Sequence, residues 1–370
     1  MRFFLQAIFG QLFLNAYILW WGYRVFRPKS VGRRLFVCFF VIELSLYFVG
    51  FFFYKDLGDS LFIPVMTICN TWYVASMYIA AGLLIIDLVG MVWGKRRSGT
   101  LRRTGYFCFL VVFVGGLMVK GYHDAMYPVV RHLDIHIPKT ADGKDSLTIV
   151  LMSDLHIGEI IGKEQVQRLV TLCNAEQPDM IVIAGDMMDY ESRFAEKAQI
   201  EEDLQQLKAP LGVYITLGNH EYRANRLAKI RWIEKTGAIL LVDSVVMPDS
   251  TFYLIGRDDA INLDRAALET LMQGVDVKKP VIVVEHQPVS AEDVVDNQCD
   301  LGLYGHTHNG QYWPFPLLLK LALKYPYGYY TKGVSHIYVS AGVGFAGPPF
   351  RIGTRSELVV LHLRFNNGDF

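Results

Sequence analysis

The chain has 370 residues, enough for one large domain or two smaller ones. Its 36 basic and 36 acidic residues cancel to zero net charge. The charge balance therefore gives no indication of the basic face of a nucleic-acid-binding protein. The sequence does not imply a protein partner. Near residue 122 the composition changes from long apolar runs to the mixture typical of a soluble α/β domain. We predict a membrane domain over residues 1–122 and a soluble domain over residues 123–370.

Four apolar stretches in the first part are long enough to cross a bilayer, which takes about 20 helical residues. They cover residues 3–26, 35–54, 61–93 and 104–122. A cleavable signal peptide is the alternative for the first stretch, but that stretch lacks a strongly basic start and a small-residue cleavage site. The sequence thus predicts a four-helix transmembrane region.

Basic residues concentrate in two of the three loops between these stretches. The first loop carries Arg24, Arg27, Lys29, Arg33 and Arg34, and the third carries Lys95, Arg96, Arg97, Arg102 and Arg103. The second loop, with Lys55 against Asp56 and Asp59, has no basic excess. Because basic loops stay in the cytoplasm, both termini and the soluble domain are expected on the extracytoplasmic side.

Two acidic residues lie within the apolar stretches, Glu43 in the second and Asp87 in the third. Intramembrane carboxylates are costly and often functional, so a proton or ligand path is one interpretation. The other is structural. In that case a protonated Glu43 is hydrogen-bonded across the bundle and Asp87 reaches a basic interface.

In the soluble part, short apolar strands end five times in polar residues. The predicted strands cover residues 146–152, 180–184, 213–217, 280–284 and 301–304, with a helix over residues 163–175. They are followed by S-D-L-H, G-D, G-N-H-E, E-H and G-H-T-H. Strands of α/β sheets carry such residues to a common edge, so we expect these side chains to meet there.

These side chains are of the types that bind divalent metals. They are Asp154, His156, Asp186, Asn219, His286, His306 and His308. Asp154 and His156 are separated by one residue and can reach the same ion, while the Asp186 carboxylate can bridge two. Nitrogen and oxygen ligands without thiolates favour manganese, iron or zinc over calcium. We predict two divalent ions, with Mn²⁺ as the first expectation and iron or zinc as alternatives.

The ordered series D-L-H, G-D-M-M-D, G-N-H-E, E-H-Q-P and G-H-T-H resembles the calcineurin-like metallophosphoesterase superfamily over residues 135–363. The continuation G-H-T-H-N-G-Q and the G-x-G-x-x-x-x-P-x-R stretch at residues 342–351 are similar to its membrane-associated branch. The resemblance implies an α/β metallophosphoesterase domain, a two-sheet β-sandwich flanked by helices, joined to the four transmembrane helices. It also implies hydrolysis of a phosphoric ester.

The resemblance further implies how the ligands divide between the ions. Asp154, His156 and His308 would hold the first ion, Asn219, His286 and His306 the second, and Asp186 would bridge them. Every ligand of the family pattern is present, which favours an enzyme over a non-catalytic metal-binding membrane sensor.

One further histidine is a candidate catalytic residue. His220 follows Asn219, so its side chain can face the substrate, and we predict that it protonates the leaving group as a general acid. A role in orienting other groups is the alternative. Asp189 is predicted to orient a ligand or to form a turn. His336 and His362, on late strand-like runs, are predicted to be structural.

The substrate is less well indicated. Residues 312–330 are rich in aromatic, leucine and lysine residues, a composition typical of the membrane interface. This segment is either a lip that admits a lipid-borne phosphate or a packed cover of the core. The predicted reaction is therefore hydrolysis of a phosphate ester or pyrophosphate at the membrane surface, with a phospholipid or lipid-linked substrate preferred. Soluble nucleotides or phosphomonoesters are the alternative.

Overall fold

The structure, a computed structural model, describes residues 2–53, 58–92 and 99–366. The chain forms two compact units, Met1–Lys120 and Gly121–Phe370. Five charged loop residues used to predict the membrane orientation lie outside the described residues. They are Lys55, Asp56, Lys95, Arg96 and Arg97.

The first unit is built from helices α1 (Arg2–Val25), α2 (Val31–Phe52), α3 (Asp59–Val92) and most of α4 (Thr100–Met126). Among the described residues, α3 and the Leu101–Met126 part of α4 are long and apolar enough to cross a bilayer. Helices α1 and α2 also carry polar residues, Gln11 and Asn15 in α1 and Arg33, Arg34 and Glu43 in α2. The four predicted helices are present, and a crossing by all four stays a prediction.

The carboxylate of Glu43 is buried within this unit. It accepts hydrogen bonds from Asn15 Nδ2 at 2.8 Å and Gln11 Nε2 at 3.3 Å. The indole of Trp72 donates to Asn15 Oδ1 at 2.9 Å. These contacts agree with the structural interpretation of Glu43, in which the acid holds helices together.

The second intramembrane acid, Asp87, is also paired. Its Oδ2 accepts from the Tyr17 hydroxyl at 2.8 Å and from the Trp21 indole at 2.9 Å. The Arg24 guanidinium lies 3.9 Å from its other oxygen. An aspartate that reaches a basic end of the bundle fits the structural interpretation here as well.

The second unit contains two six-stranded sheets among the described residues. The first has the order β1-β12-β2-β3-β4-β5, with β1 (Val129–Ile137), β12 (Glu357–Phe365), β2 (Ser146–Met152), β3 (Met180–Ala184), β4 (Val213–Thr216) and β5 (Ile239–Leu241). The second has the order β10-β11-β9-β8-β7-β6, with β10 (Gly328–Lys332), β11 (Ser335–Val339), β9 (Leu301–Tyr304), β8 (Val281–Val284), β7 (Tyr253–Gly256) and β6 (Ser244–Val246). Its helices are α5 (Lys163–Ala175), α6 (Arg193–Ala198), α7 (Ile200–Leu204), α8 (Arg226–Lys235), α9 (Leu268–Leu271), α10 (Glu292–Asp296) and α11 (Phe315–Ala322).

The sheets pack face to face, and alternation along the strands decides which residues enter which layer. Leu147, Ile149 and Leu151 of β2 join the core shared by both sheets. Val150 and Met152 point the other way, into a second core formed with α5, α7 and α8. Helices α9 and α10 cover the outer face of the second sheet. The predicted two-sheet α/β arrangement flanked by helices is confirmed.

The strand directions explain why the candidate ligands meet. Neighbours β2, β3 and β4 run parallel, and so do β8 and β9 in the other sheet. The carboxyl ends of all five therefore lie at corresponding edges of the two sheets, where binding sites of α/β proteins form. The loops that follow these strands carry all seven candidate ligands.

Candidate metal centre

The backbone is unusual at five of the seven candidate ligands. The left-handed φ values are 54° at Asp154, 48° at His156, 52° at Asp186, 74° at His306 and 50° at His308. This region is sparsely populated by residues with a Cβ, and each such residue costs about 1–3 kcal/mol. A concentration of strained residues at converging strand ends is typical of a functional site.

The first ligand group brings Asp154, His156 and His308 together. The Nε2 atoms of the two imidazoles lie 3.1 Å apart. Asp154 Oδ1 lies 3.4 Å from His308 Nε2 and 3.9 Å from His156 Nε2. Ligands bound about 2.0–2.2 Å from one ion are about 3.0–3.5 Å apart. The two shorter distances match this spacing and the third is slightly wider, so the group is suited to a single cation.

The second ligand group contains Asp186, His286, His306 and Asn219. His286 Nε2 lies 3.2 Å from Asp186 Oδ2 and 3.2 Å from Asn219 Oδ1. His306 Nδ1 lies 2.9 Å from the same amide oxygen. The His286 Nδ1 atom is 2.8 Å from the carbonyl oxygen of Ala184, which directs Nε2 into the site.

Asp186 connects the two groups. Its Oδ2 lies 3.7 Å from His156 Nε2 in the first group and 3.2 Å from His286 Nε2 in the second. Its Oδ1 accepts a hydrogen bond from the backbone N–H of His220 at 2.8 Å, which fixes the carboxylate. The structure thus brings all seven predicted ligands to one place, in two groups that share a carboxylate.

Burial and neighbouring charges shift the pKa values of the site residues in opposite directions. Burial opposes ionisation of Asp186, but the positive charges of His286 and His156 outweigh it and lower the pKa of the carboxyl well below its usual range. Burial also disfavours a charged His286, yet Asp186 raises the pKa of this imidazole to about 10. Burial and the charge of His286 lower the pKa of His306 to about 4. A divalent ion at this position would replace the His286 proton, so metal binding would release it.

His220 lies beside the first group. Its Nδ1 is 2.9 Å from Asp189 Oδ1 and 2.8 Å from the Asp189 carbonyl oxygen, while Nε2 faces Asp186 Oδ2 at 4.0 Å. Burial opposes ionisation of Asp189, but the neighbouring imidazoles of His156 and His220 lower the pKa of its carboxyl. Asp189 therefore holds the His220 ring by one nitrogen and leaves the other directed at the centre.

Two buried residues that support this loop were not predicted. Glu221 accepts hydrogen bonds from the backbone N–H groups of Asp186 at 3.0 Å, Met188 at 3.1 Å and Gly218 at 2.8 Å. The Lys229 ammonium donates to the His220 carbonyl oxygen at 2.7 Å. The position of Glu221 directly after G-N-H was a usable signal, whereas Lys229 looked like any helical lysine.

The histidines predicted to be structural lie on late strands. His336 of β11 contacts the Tyr329 hydroxyl at 2.6 Å, and His362 of β12 lies 3.2 Å from His132. Neither belongs to a potential metal-binding group among the described residues.

Two ligand groups that share one carboxylate are the arrangement of a dinuclear divalent metal site. The family model of the calcineurin-like phosphoesterases matches residues 147–310, which include all seven candidate ligands. The chain therefore contains a calcineurin-like metallophosphoesterase domain, and the predicted family is confirmed. It is a metal-dependent phosphoesterase.

Several proteins are similar over most of the chain. An uncharacterized metallophosphoesterase of Campylobacter jejuni is 28% identical over 80% of this chain and 82% of its own length. A second, from Helicobacter pylori, is 27% identical over 90% of this chain and 91% of its own length. The Danio rerio protein called transmembrane protein with metallophosphoesterase domain is 32% identical over 72% of this chain. The match spans 64% of that protein, less than two thirds of its length.

Gly218 provides a test of the shared carboxylate. A Cβ at this position would lie 2.2 Å from Asp186 Oδ1 and 2.5 Å from the Asp186 nitrogen. Gly218→Ala should therefore displace the shared carboxylate and weaken metal binding at least about tenfold. The measurement is metal content after dialysis against graded Mn²⁺. The matched control is Gly162→Ala, where the nearest atom to the new Cβ is 3.9 Å away. Equal metal content in both variants would contradict this account of Asp186.

Proposed function

We propose that this protein hydrolyses a phosphate ester or pyrophosphate at the outer surface of a membrane, with a phospholipid or lipid-linked substrate preferred. The ligands are assigned as the family resemblance implies. Asp154, His156 and His308 would hold one ion, Asn219, His286 and His306 the other, and Asp186 would contribute to both. Mn²⁺ is the expected metal, with iron or zinc as alternatives. When bound, such a pair of ions supplies Lewis acidity for the phosphoryl oxygens and lowers the pKa of water.

The role proposed for His220 is to give a proton to the leaving oxygen. Asp189 contacts Nδ1 and fixes the ring, while Nε2 is directed at the centre. Correct placement of such a group contributes roughly 10²–10⁴-fold to rate.

One short segment supports the proposed position of the active site at the membrane. Residues 350–353, here called the strap, hydrogen-bond to the last turns of α4 through Arg351 N–H and Gly121 O at 2.8 Å. The strap also pairs with the chain that follows His308: the Ile352 N–H donates to Gln311 O at 2.9 Å, and the Trp313 N–H donates to Ile352 O at 2.7 Å. The end of α4 and a candidate metal ligand are thus held by the same four residues.

The length of α4 suggests where its end lies. Its 27 residues make a helix of about 40 Å, longer than the roughly 30 Å hydrocarbon core. If α4 crosses the bilayer, its last turns emerge among the lipid head groups. The strap contact at Gly121, which lies within the second unit, then supports a position of the metal centre near that boundary.

Helix α11 supports a lipid substrate. It begins two residues after Trp313, and none of its residues is buried. Leu317 and Leu318 are each 52% exposed, Leu321 is 86% exposed and Trp313 57%. An exposed apolar helix on a soluble domain indicates a membrane or ligand contact. The segment just before it pairs with the strap, which also binds Gly121 O of α4, and this supports the bilayer as the partner.

The orientation rests on the sequence alone. The basic first and third loops favour a cytoplasmic position for both, and α4 then carries the catalytic unit to the extracytoplasmic side.

The role of His220 is tested by His220→Ala. Both metal ions should remain, because the side chain is not among the proposed ligands. Turnover should fall by roughly 10²–10⁴-fold, with a larger loss for esters that have poor leaving groups. Metal content and rates on two esters of different leaving-group pKa are measured, with His362→Ala as the matched control. Loss of metal from His220→Ala would contradict the assignment.

The substrate is tested by measuring the phosphate that full-length protein, reconstituted in lipid vesicles with Mn²⁺, releases from added esters. We expect activity on lipid phosphate esters in vesicles and on a soluble chromogenic ester, and Asp186→Asn should abolish both. Replacing Leu317, Leu318 and Leu321 together by serine should lower only the vesicle activity, by at least about tenfold, since burial of a single leucine already contributes about 1.5–3 kcal/mol.

Equal vesicle activity in the triple serine variant would refute the lipid preference and favour soluble substrates. No hydrolysis of any ester by metal-loaded protein would instead favour a non-catalytic sensor.

The orientation is tested by labelling in intact cells. A membrane-impermeant maleimide should react with Thr331→Cys, an exposed position on β10, without lysis. Ser30→Cys, in the first loop, should react only after lysis. The reverse pattern would place the catalytic unit in the cytoplasm.

A further inference from the structure

Arg351 is a fully buried cation that is surrounded by backbone carbonyl groups. Within the described residues, no carboxylate lies within ion-pair distance of its guanidinium. Backbone carbonyl groups accept its hydrogen bonds instead. Nη1 donates to His308 O at 3.0 Å, Nη2 donates to Ala341 O at 2.5 Å and Gly344 O at 2.7 Å, and Nε donates to Gly344 O at 3.2 Å. Removing a charge from water costs several kcal/mol, so these hydrogen bonds must stabilise the buried guanidinium.

The carbonyl groups that Arg351 binds belong to the two sides of the first ligand group. One is the main chain of His308 itself. The others lie in residues 341–344, which pack against Asp154: the Gly344 N–H donates to Asp154 O at 3.0 Å. A Cβ on Gly342, whose φ is +83°, would lie 2.8 Å from Asp154 Cβ. The guanidinium therefore joins the backbones that hold His308 and Asp154.

The side chain of His308 is also constrained. Arg351 Nη2 lies 3.2 Å from His308 Nδ1, but its two hydrogens are directed at the closer carbonyl oxygens of Ala341 and Gly344. The ring is thus packed against a planar cation with its Nε2 directed at Asp154 Oδ1, 3.4 Å away.

We propose that Arg351 is a positioning residue that fixes His308 and Asp154 at the spacing needed by the first metal ion. This inference rests on the proposed ligand assignment and extends it to a residue that touches neither ion. Lysine cannot replace the guanidinium, because one ammonium group cannot span carbonyl groups in the fixed fork geometry of arginine. Since the backbone N–H of Arg351 also binds Gly121 O, the same residue links the end of α4 to the first ligand group.

The test compares Arg351→Lys with wild type and with Arg364→Lys, an exposed arginine on β12. Full-length purified protein is titrated with Mn²⁺, and bound ions are followed by metal analysis and electron paramagnetic resonance. In Arg351→Lys we expect one ion to bind about 10–100-fold more weakly while the other keeps its affinity. The signal of a coupled manganese pair should give way to that of an isolated ion, and excess Mn²⁺ should restore turnover.

Several outcomes would overturn the inference. Two sites of wild-type affinity in Arg351→Lys would show that the guanidinium does not position the ligands. Equal weakening of both sites would show a general structural role. If circular dichroism shows that Arg351→Lys is unfolded, Arg351→Gln replaces it, because its neutral amide can donate to only part of the carbonyl groups that the guanidinium joins. Unchanged affinity there would also refute the inference. Failure of wild type to bind Mn²⁺, iron or zinc would refute the proposed function instead.

Discussion

Two buried carboxylates determine how the second unit is built. Asp154 and Asp186 are almost fully excluded from solvent, and an ionised carboxylate without a counter-charge costs several kcal/mol in such a place. The backbone N–H groups of His306 and His220 offset part of that cost. A pair of divalent ions would offset the rest. The strained backbone at the ligands, at about 1–3 kcal/mol per residue, is then tolerated because ion binding stabilises the same conformation.

Many of the strands, helices and candidate ligands could be predicted because the sequence patterns that indicate them are local. A short apolar run followed by a metal-binding residue defines a strand and its end at once, and the predicted strand 146–152 and helix 163–175 are β2 and α5. The ligand types need no tertiary information, since Asp, Asn and His in mixed order already exclude a cysteine-based site. The long apolar runs likewise predicted α1–α4, because the length and composition of each run are enough to indicate a helix.

The features that the sequence did not predict depend on contacts between distant parts of the chain. Strand β1 pairs with β12 in register Val129↔Glu357, and no local pattern indicates that partner. The short β5 and β6 have three residues each, too few to show alternation. The contact of Arg351 with His308 and of the strap with α4 became visible only in three dimensions. Gln11 and Asn15 lowered the apolar character of α1, and only the structure shows that they contact Glu43.

The central claim is that seven side chains hold two ions with Asp186 between them. Anomalous X-ray scattering from crystals of the manganese-loaded protein tests this most directly. We predict two peaks about 3.5–4 Å apart, each within bonding distance of Asp186. A single peak, or two peaks that do not share Asp186, would contradict the account.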